Sequence, residues 1–112
     1  MEKIQIIHEE ARQLLGLSSA QQVVALATLS GQVHLLENQH IIDGDTADEQ
    51  ALLAKLNPAD PVTHLVCLWN PTGGADIPSY HLRTGLVTLN PENANALVLM
   101  SNGTTRTIEN LK

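Results

Sequence analysis

The stretch DIPSYHLR, residues 76 to 83, has the outline of a metal-binding turn, a loop ending at Pro78 and a helix opening at Ser79. Its residues do not supply a metal's donors. Ser79 carries a hydroxyl, yet no His and acid are arranged along the sequence to activate it as a nucleophile. Its place before a helix reads instead as an N-cap. Glu49 stands three residues after Thr46, and the pair fits a capping box. The run DGDTADE, residues 43 to 49, is acidic enough for calcium but lacks the order of an EF-hand loop. Arg83 follows a helix start, where the dipole's positive end disfavours a cation. That conflict points to a partner such as Asp76 or an anionic ligand. Cys67 lies mid-strand and reads as a small buried apolar group. His8, His34 and His64 read as surface or strand-edge residues.

Hydrophobic spacing supplies the elements that must position these groups. Ile4, Ile7, Ala11, Leu14 and Leu15 recur at helical spacing, and Gly16 is expected to stop that helix. VVALATL (23–29) reads as a buried strand, and QVHLLE (32–37) as its hairpin partner. Residues 46–56 form a second helix, ended by NPADP. VTHLVCLW (62–69) is nearly continuous in hydrophobicity and reads as a central strand. NPTGGADIP (70–78) reads as loop. A third helix runs from Ser79 to about residue 89, despite Gly85, Val87 and Thr88. NPENAN reads as a turn, and residues 96–101 and 104–108 form a hairpin around Asn102-Gly103. IENLK reads as a short terminal helix or tail. Trp69 ends the central strand and Tyr80 opens the third helix. In a sheet of this kind ligands bind at the carboxyl ends of strands, so both rings fall near the expected pocket.

This element order, with this loop before the third helix, resembles the cytidine deaminase family over nearly the whole chain. The family shows a G-x-x-x-x-G-x-N-x-E stretch, a [CH]-A-E motif opening one helix, P-C-x-x-C-R opening the next, and a terminal V-L-x-x-x-G hairpin. GQVHLLENQH (31–40) stands at the first motif, with Asn38 matching and His40 departing. ADE (47–49) stands at the second, with Glu49 matching. PSYHLR (78–83) stands at the third, with Pro78 and Arg83 matching. VLMSNGTTRTIENL (98–111) resembles the terminal hairpin and the segment after it. The resemblance implies one domain over residues 1–112. The implied fold is α/β, a three-layer α/β/α sandwich around a mixed five-stranded sheet.

The departures carry more information than the matches. The resemblance places the family's three zinc ligands at Ala47, Ser79 and Leu82. Ala and Leu have no donor atom, and Ser is not among the usual His, Cys and carboxylate ligands. The family's chemistry needs zinc to lower the pKa of a bound water, while its Glu shuttles protons. Glu49 alone cannot replace the zinc. Asp48 and His81 each lie one residue from a lost ligand position. A one-residue step turns a helical side chain by about 100°, so neither points where the lost ligand did. A displaced metal site built on Asp48, His81 and His40 is the alternative.

Composition narrows the classes. The formal net charge is −6, and the six Lys and Arg residues are scattered. No basic patch offers itself to nucleic acid or to a membrane surface. The chain has one cysteine and two aromatic rings, so the core is aliphatic and a reducing, cytoplasmic setting is expected. Its first residues contain no signal peptide and no long apolar run. The expected protein is a cytidine deaminase-like domain without zinc or other cofactor, and without deaminase activity. It would bind a small nucleoside-like molecule through Asn38, Trp69, Pro78, Ser79, Tyr80 and Arg83, or serve as a dimeric or tetrameric interaction module. Glu49 would be a catalytic remnant. The rival is a deaminase-type hydrolase that uses the displaced metal or Glu49 with Ser79 or His81.

Overall fold

The computed structural model describes residues 2–39 and 46–111. His40, Asp43 and Asp45, three of the residues weighed above, lie outside the described residues. Helix α1 (Lys3–Leu17) leads into β1 (Gln22–Thr28) and β2 (Val33–Asn38). Helix α2 (Ala47–Lys55), β3 (Val62–Trp69), β4 (Ala75–Asp76) and α3 (Tyr80–Leu89) follow. Strands β5 (Leu97–Leu99) and β6 (Thr105–Thr107) close the order, with 3-10 turns at Pro91–Asn95 and Ile108–Asn110.

The sheet runs β2-β1-β3-β5-β6, with β4 paired to β3 outside that path. β1 is antiparallel to both neighbours, and β3 is parallel to β5, so the sheet is mixed. Alternation sorts the side chains into two faces. Val23, Ala25, Ala27, Val66 and Leu68 pack with Ile7 and Ala11 of α1. The alanines keep that face shallow and let one helix lie close. Val24, Leu26, Leu36, Leu65 and Cys67 face the other way, against Leu52 of α2 and Leu82 and Leu86 of α3. One helix on one face and two on the other make the expected α/β/α layering. All seven residues of β1 are buried, because it is covered on both faces and paired on both edges.

Several local expectations change. Helix α1 does not stop at Gly16 but runs through it to Leu17. A Cβ at 16 would meet nothing, so the glycine costs helix propensity without ending the helix. The segment 70–78 is not all loop: it turns at Gly73, whose φ of 71° suits glycine, and returns as β4 along β3. That adds a sixth, two-residue strand to the five expected. NPENAN is a 3-10 turn, and its Asn93 is buried as a staple. Asn93 Oδ1 accepts from Val62 N at 2.7 Å and Nδ2 donates to Leu86 O at 2.8 Å. Gly85 does not break α3. A Cβ there would run into Cδ1 of Leu53, so the glycine lets α2 approach. His64 sits half-buried on the central strand rather than at an edge, and burial holds its pKa below the usual 6.5. Among the described residues no helix is long and apolar enough to cross a membrane.

Candidate functional site

The site forms where the N-termini of α2 and α3 meet the ends of β1, β2 and β3. Ser79 caps α3, its Oγ accepting from Leu82 N at 3.1 Å, as expected. The capping box of α2 does not form. Thr46 makes no side-chain cap bond and instead accepts from Gln50 Nε2 at 2.8 Å. Glu49 is thereby released to turn inward, where only 2% of it is exposed. Its Oε2 accepts from Ser79 Oγ at 2.5 Å, and its Oε1 lies 3.6 Å from His81 Nδ1. An acid does therefore stand beside Ser79, which the sequence order conceals.

Glu49 occupies the first turn of α2 and faces the capped end of α3. Two helix N-termini, each with partial positive charge, share one carboxylate. This gives a physical account of a buried acid that no Lys or Arg pairs among the described residues. The order of contacts is Ser–Glu–His. A serine nucleophile needs the imidazole between hydroxyl and acid, so that the ring can take the hydroxyl proton. Here the ring touches the acid on its far side.

The metal-ligand positions inherited from the resemblance hold no donor set. Ala47 is exposed, Ser79 is committed to its cap and to Glu49, and Leu82 is fully buried in the core beside Cys67 and Leu86. Asp48 does not join His81. Its Oδ2 accepts from Gln39 N at 2.9 Å, while His81 turns to Glu49. Among the described residues no three His, Cys, Asp or Glu side chains converge as ligands. A tetrahedral zinc does not fit these residues.

A second group of polar side chains lies beside this one. Gln22 pairs in register with Asn38 on one side and with Trp69 on the other, so all three project from the face that carries α2 and α3. Asn38 is fully buried, and neither its Oδ1 nor its Nδ2 has a hydrogen-bond partner among the described residues. Gln22 is equally buried. Its Nε2 donates to Asp76 Oδ2 at 3.0 Å, and its Oε1 has no partner among the described residues. Asp76 also accepts from Ile77 N, so it is not the partner expected for Arg83. Gln22 escaped the sequence reading, and Asp76 was given the wrong partner. The available signal was a glutamine opening a strand that is otherwise apolar.

Burial is the largest influence on Cys67, with Asp76 and Glu49 adding to it, and its thiol is pushed well above its usual pKa of 9.0. Pro78 is buried and Trp69 half-buried at this end of the sheet. Tyr80 and Arg83 turn elsewhere. Tyr80 is 74% exposed, and the Arg83 guanidinium lies 5.8 Å from its ring centre. Arg83 Nη1 donates to Leu111 O at 2.7 Å.

Solved structures with this architecture exist. A cytidine deaminase from Bacillus anthracis superposes with a TM-score of 0.72 at 12% identity, covering 99% of this chain and 87% of that one. A mutant cytidine deaminase from Mycobacterium tuberculosis gives a TM-score of 0.68 at 16% identity, covering 96% and 93%. The fold is that of the cytidine deaminases. No protein-family model and no curated protein matches the chain in sequence. What it shares with these deaminases is therefore architecture. On that fold, Glu49 stands at the start of one helix and Ser79 at the start of the next, and a hydrogen bond joins them.

Proposed function

We propose that this protein binds a small, uncharged, nucleoside-like molecule on the cytidine deaminase fold and does not deaminate it. The observation that carries the reading is Asn38, whose buried amide has both its oxygen and its nitrogen unpaired among the described residues. Leaving such groups unpaired costs about 1–3 kcal/mol each, a penalty that a ligand with a donor and an acceptor relieves. Gln22 Oε1, next to it in register, asks for one donor more. Trp69 on the same face offers an aromatic surface to a planar base.

Catalysis is disfavoured by the state of Glu49. In the deaminase reaction this acid must exchange protons with a metal-activated water. Here Ser79 holds one of its oxygens, and the positions for the metal's ligands carry Ala47, Ser79 and Leu82. The alternative, a hydrolase built on Glu49 with Ser79 or His81, finds both contacts in place, but in the order Ser–Glu–His, which leaves the hydroxyl no imidazole to take its proton. Self-association belongs to the same proposal, since Leu29, Val33 and Leu35 leave apolar side chains exposed around the edge strand β2.

The test pairs two measurements on one preparation. Calorimetric titration with cytidine, uridine and adenosine is expected to give saturable binding to at least one of them. The cytidine absorbance assay is expected to show no turnover, with or without added zinc. Turnover that depends on zinc and is lost in Glu49→Gln would reject the non-catalytic reading. Failure of every nucleoside to bind would reject the ligand.

A further inference from the structure

Helix α3 presents a second face. Ser79 and Leu82 look inward to Glu49 and the core. Tyr80, Arg83, Thr84 and Val87 follow at spacings of three and four and share the opposite side. With Ile108 and Leu111 they line an open groove of about 450 Å³. Val87, Ala94, Ile108 and Leu111 make its walls aliphatic in part, and one ring, one guanidinium, two threonines and the Glu109 carboxylate complete them.

Arg83 is the unusual member. It is half-buried, and no carboxylate pairs with it among the described residues, although acids outnumber bases two to one in the chain. Glu109 also lines the groove but makes no ion pair with it. The Nη1 bond to Leu111 O fixes the plane of the guanidinium, while Nε has no partner among the described residues. A partly buried cation without a counter-ion costs solvation energy that an arriving anion returns. Arginine's planar fork suits a carboxylate. Tyr80 beside it offers a flat apolar surface that stands open to solvent.

The geometry points to this groove as a binding site for a small monoanionic carboxylate with a planar apolar body, separate from the Asn38 site. The carboxylate lies against Arg83, and the body covers Tyr80, Val87 and Ile108. Charge complementarity selects the occupant: a neutral molecule of the same shape leaves Arg83 unpaired.

Naphthoate and its uncharged amide, naphthamide, make the test when titrated into the full chain and followed in amide NMR spectra. Naphthoate is expected to shift the resonances of Tyr80, Thr84, Val87 and Ile108 to saturation, with naphthamide at least about tenfold weaker. Tyr80→Ala changes an exposed residue, so it should keep the melting temperature and weaken naphthoate by about fivefold. Arg83→Lys keeps the charge without the fork and should weaken it as well. Equal affinities for acid and amide overturn the proposal, as do shifts that map to Gln22 and Asn38. A native dimer that shields Tyr80, with its resonances unmoved by naphthoate, also overturns it.

Discussion

Ser79 Oγ lies 2.5 Å from Glu49 Oε2, and this one contact ties the first turn of α2 to the cap of α3. The resemblance to the cytidine deaminases places metal ligands at Ala47 and Ser79, on these same two helix ends, with Glu49 as proton shuttle. Here a hydroxyl and a carboxylate join them directly. Ser79→Ala should remove the cap of α3 and leave a buried carboxylate without its donor. The two losses together are expected to destabilise the fold by about 2–4 kcal/mol in urea denaturation. Glu49→Gln keeps an acceptor for Ser79 and loses the charge between the helix ends, so about 1 kcal/mol is expected. If Glu49→Gln proves neutral or stabilising, the helix-dipole account of the buried acid fails. A chelator should leave the wild-type melting temperature unmoved.

Cys67 gives a probe of the same region. Burial raises its thiol pKa, with Asp76 and Glu49 adding to the effect, so the folded value lies above the unfolded one. Stability from this group is fully present below the unfolded value of 9.0 and is lost as pH rises from there toward the folded value. Cys67→Ala should therefore lose less stability than wild type between about pH 8 and pH 10. Iodoacetamide should leave the native thiol unmodified and label it fully in denaturant.

His64 works in the acid direction. Its folded pKa is depressed, first by burial and then by Lys3, with Glu2 opposing. The unfolded chain takes up the proton first, so stability falls as pH drops through 6.5 toward the folded value. Asp60 continues the loss at lower pH. Hydrogen bonds from Ser30 and Thr28 hold its carboxyl below 3.8, so its contribution is present above that value and is lost as pH falls through the folded one. A melting-temperature profile should slope downward below neutrality, and His64→Gln should flatten the first part of it.

Asn93 shows how one side chain can close a fold. It is buried and bonds to the start of β3 and to α3 near its end. Asn93→Ala strands Val62 N and removes a partner of Leu86 O, with about 2–3 kcal/mol of stability expected to go. Asn93→Asp keeps the acceptor for Val62 and sets a carboxylate against a carbonyl, so it should not rescue. A rescue by Asp in chemical denaturation would refute the donor role of Nδ2.

The sequence was legible where one periodicity dominated. β3 was read at its true ends, because a central strand with five of its eight residues buried leaves a nearly continuous apolar run. The three layers were implied by the resemblance to the cytidine deaminases, while the alternation of strands and helices pointed only to a mixed sheet covered by helices. The site was less legible. Asp48 and Glu49 are neighbours in sequence, yet one bonds Gln39 and the other is buried against Ser79. No spacing rule shows which acid turns inward. Local capping chemistry favoured Thr46 with Glu49, and the tertiary contact with Ser79 overrode it. Gln22 and Asp76 stand 54 positions apart and meet only because β4 folds back on β3. Such pairs depend on register, which a single sequence does not print.

Asn38 separates binding from folding. If its amide is kept for a ligand, the empty protein bears the cost of two unpaired buried atoms. Asn38→Leu removes both and keeps the volume close, so it should stabilise the ligand-free chain by about 1–2 kcal/mol. The same change should abolish any rise in melting temperature caused by a nucleoside. Proteins commonly give up stability of this size at a site they use. Thermal unfolding of both variants, with and without ligand, reads the two effects together. A destabilised Asn38→Leu would show that the amide is already satisfied in solution, and the binding proposal would lose its foundation.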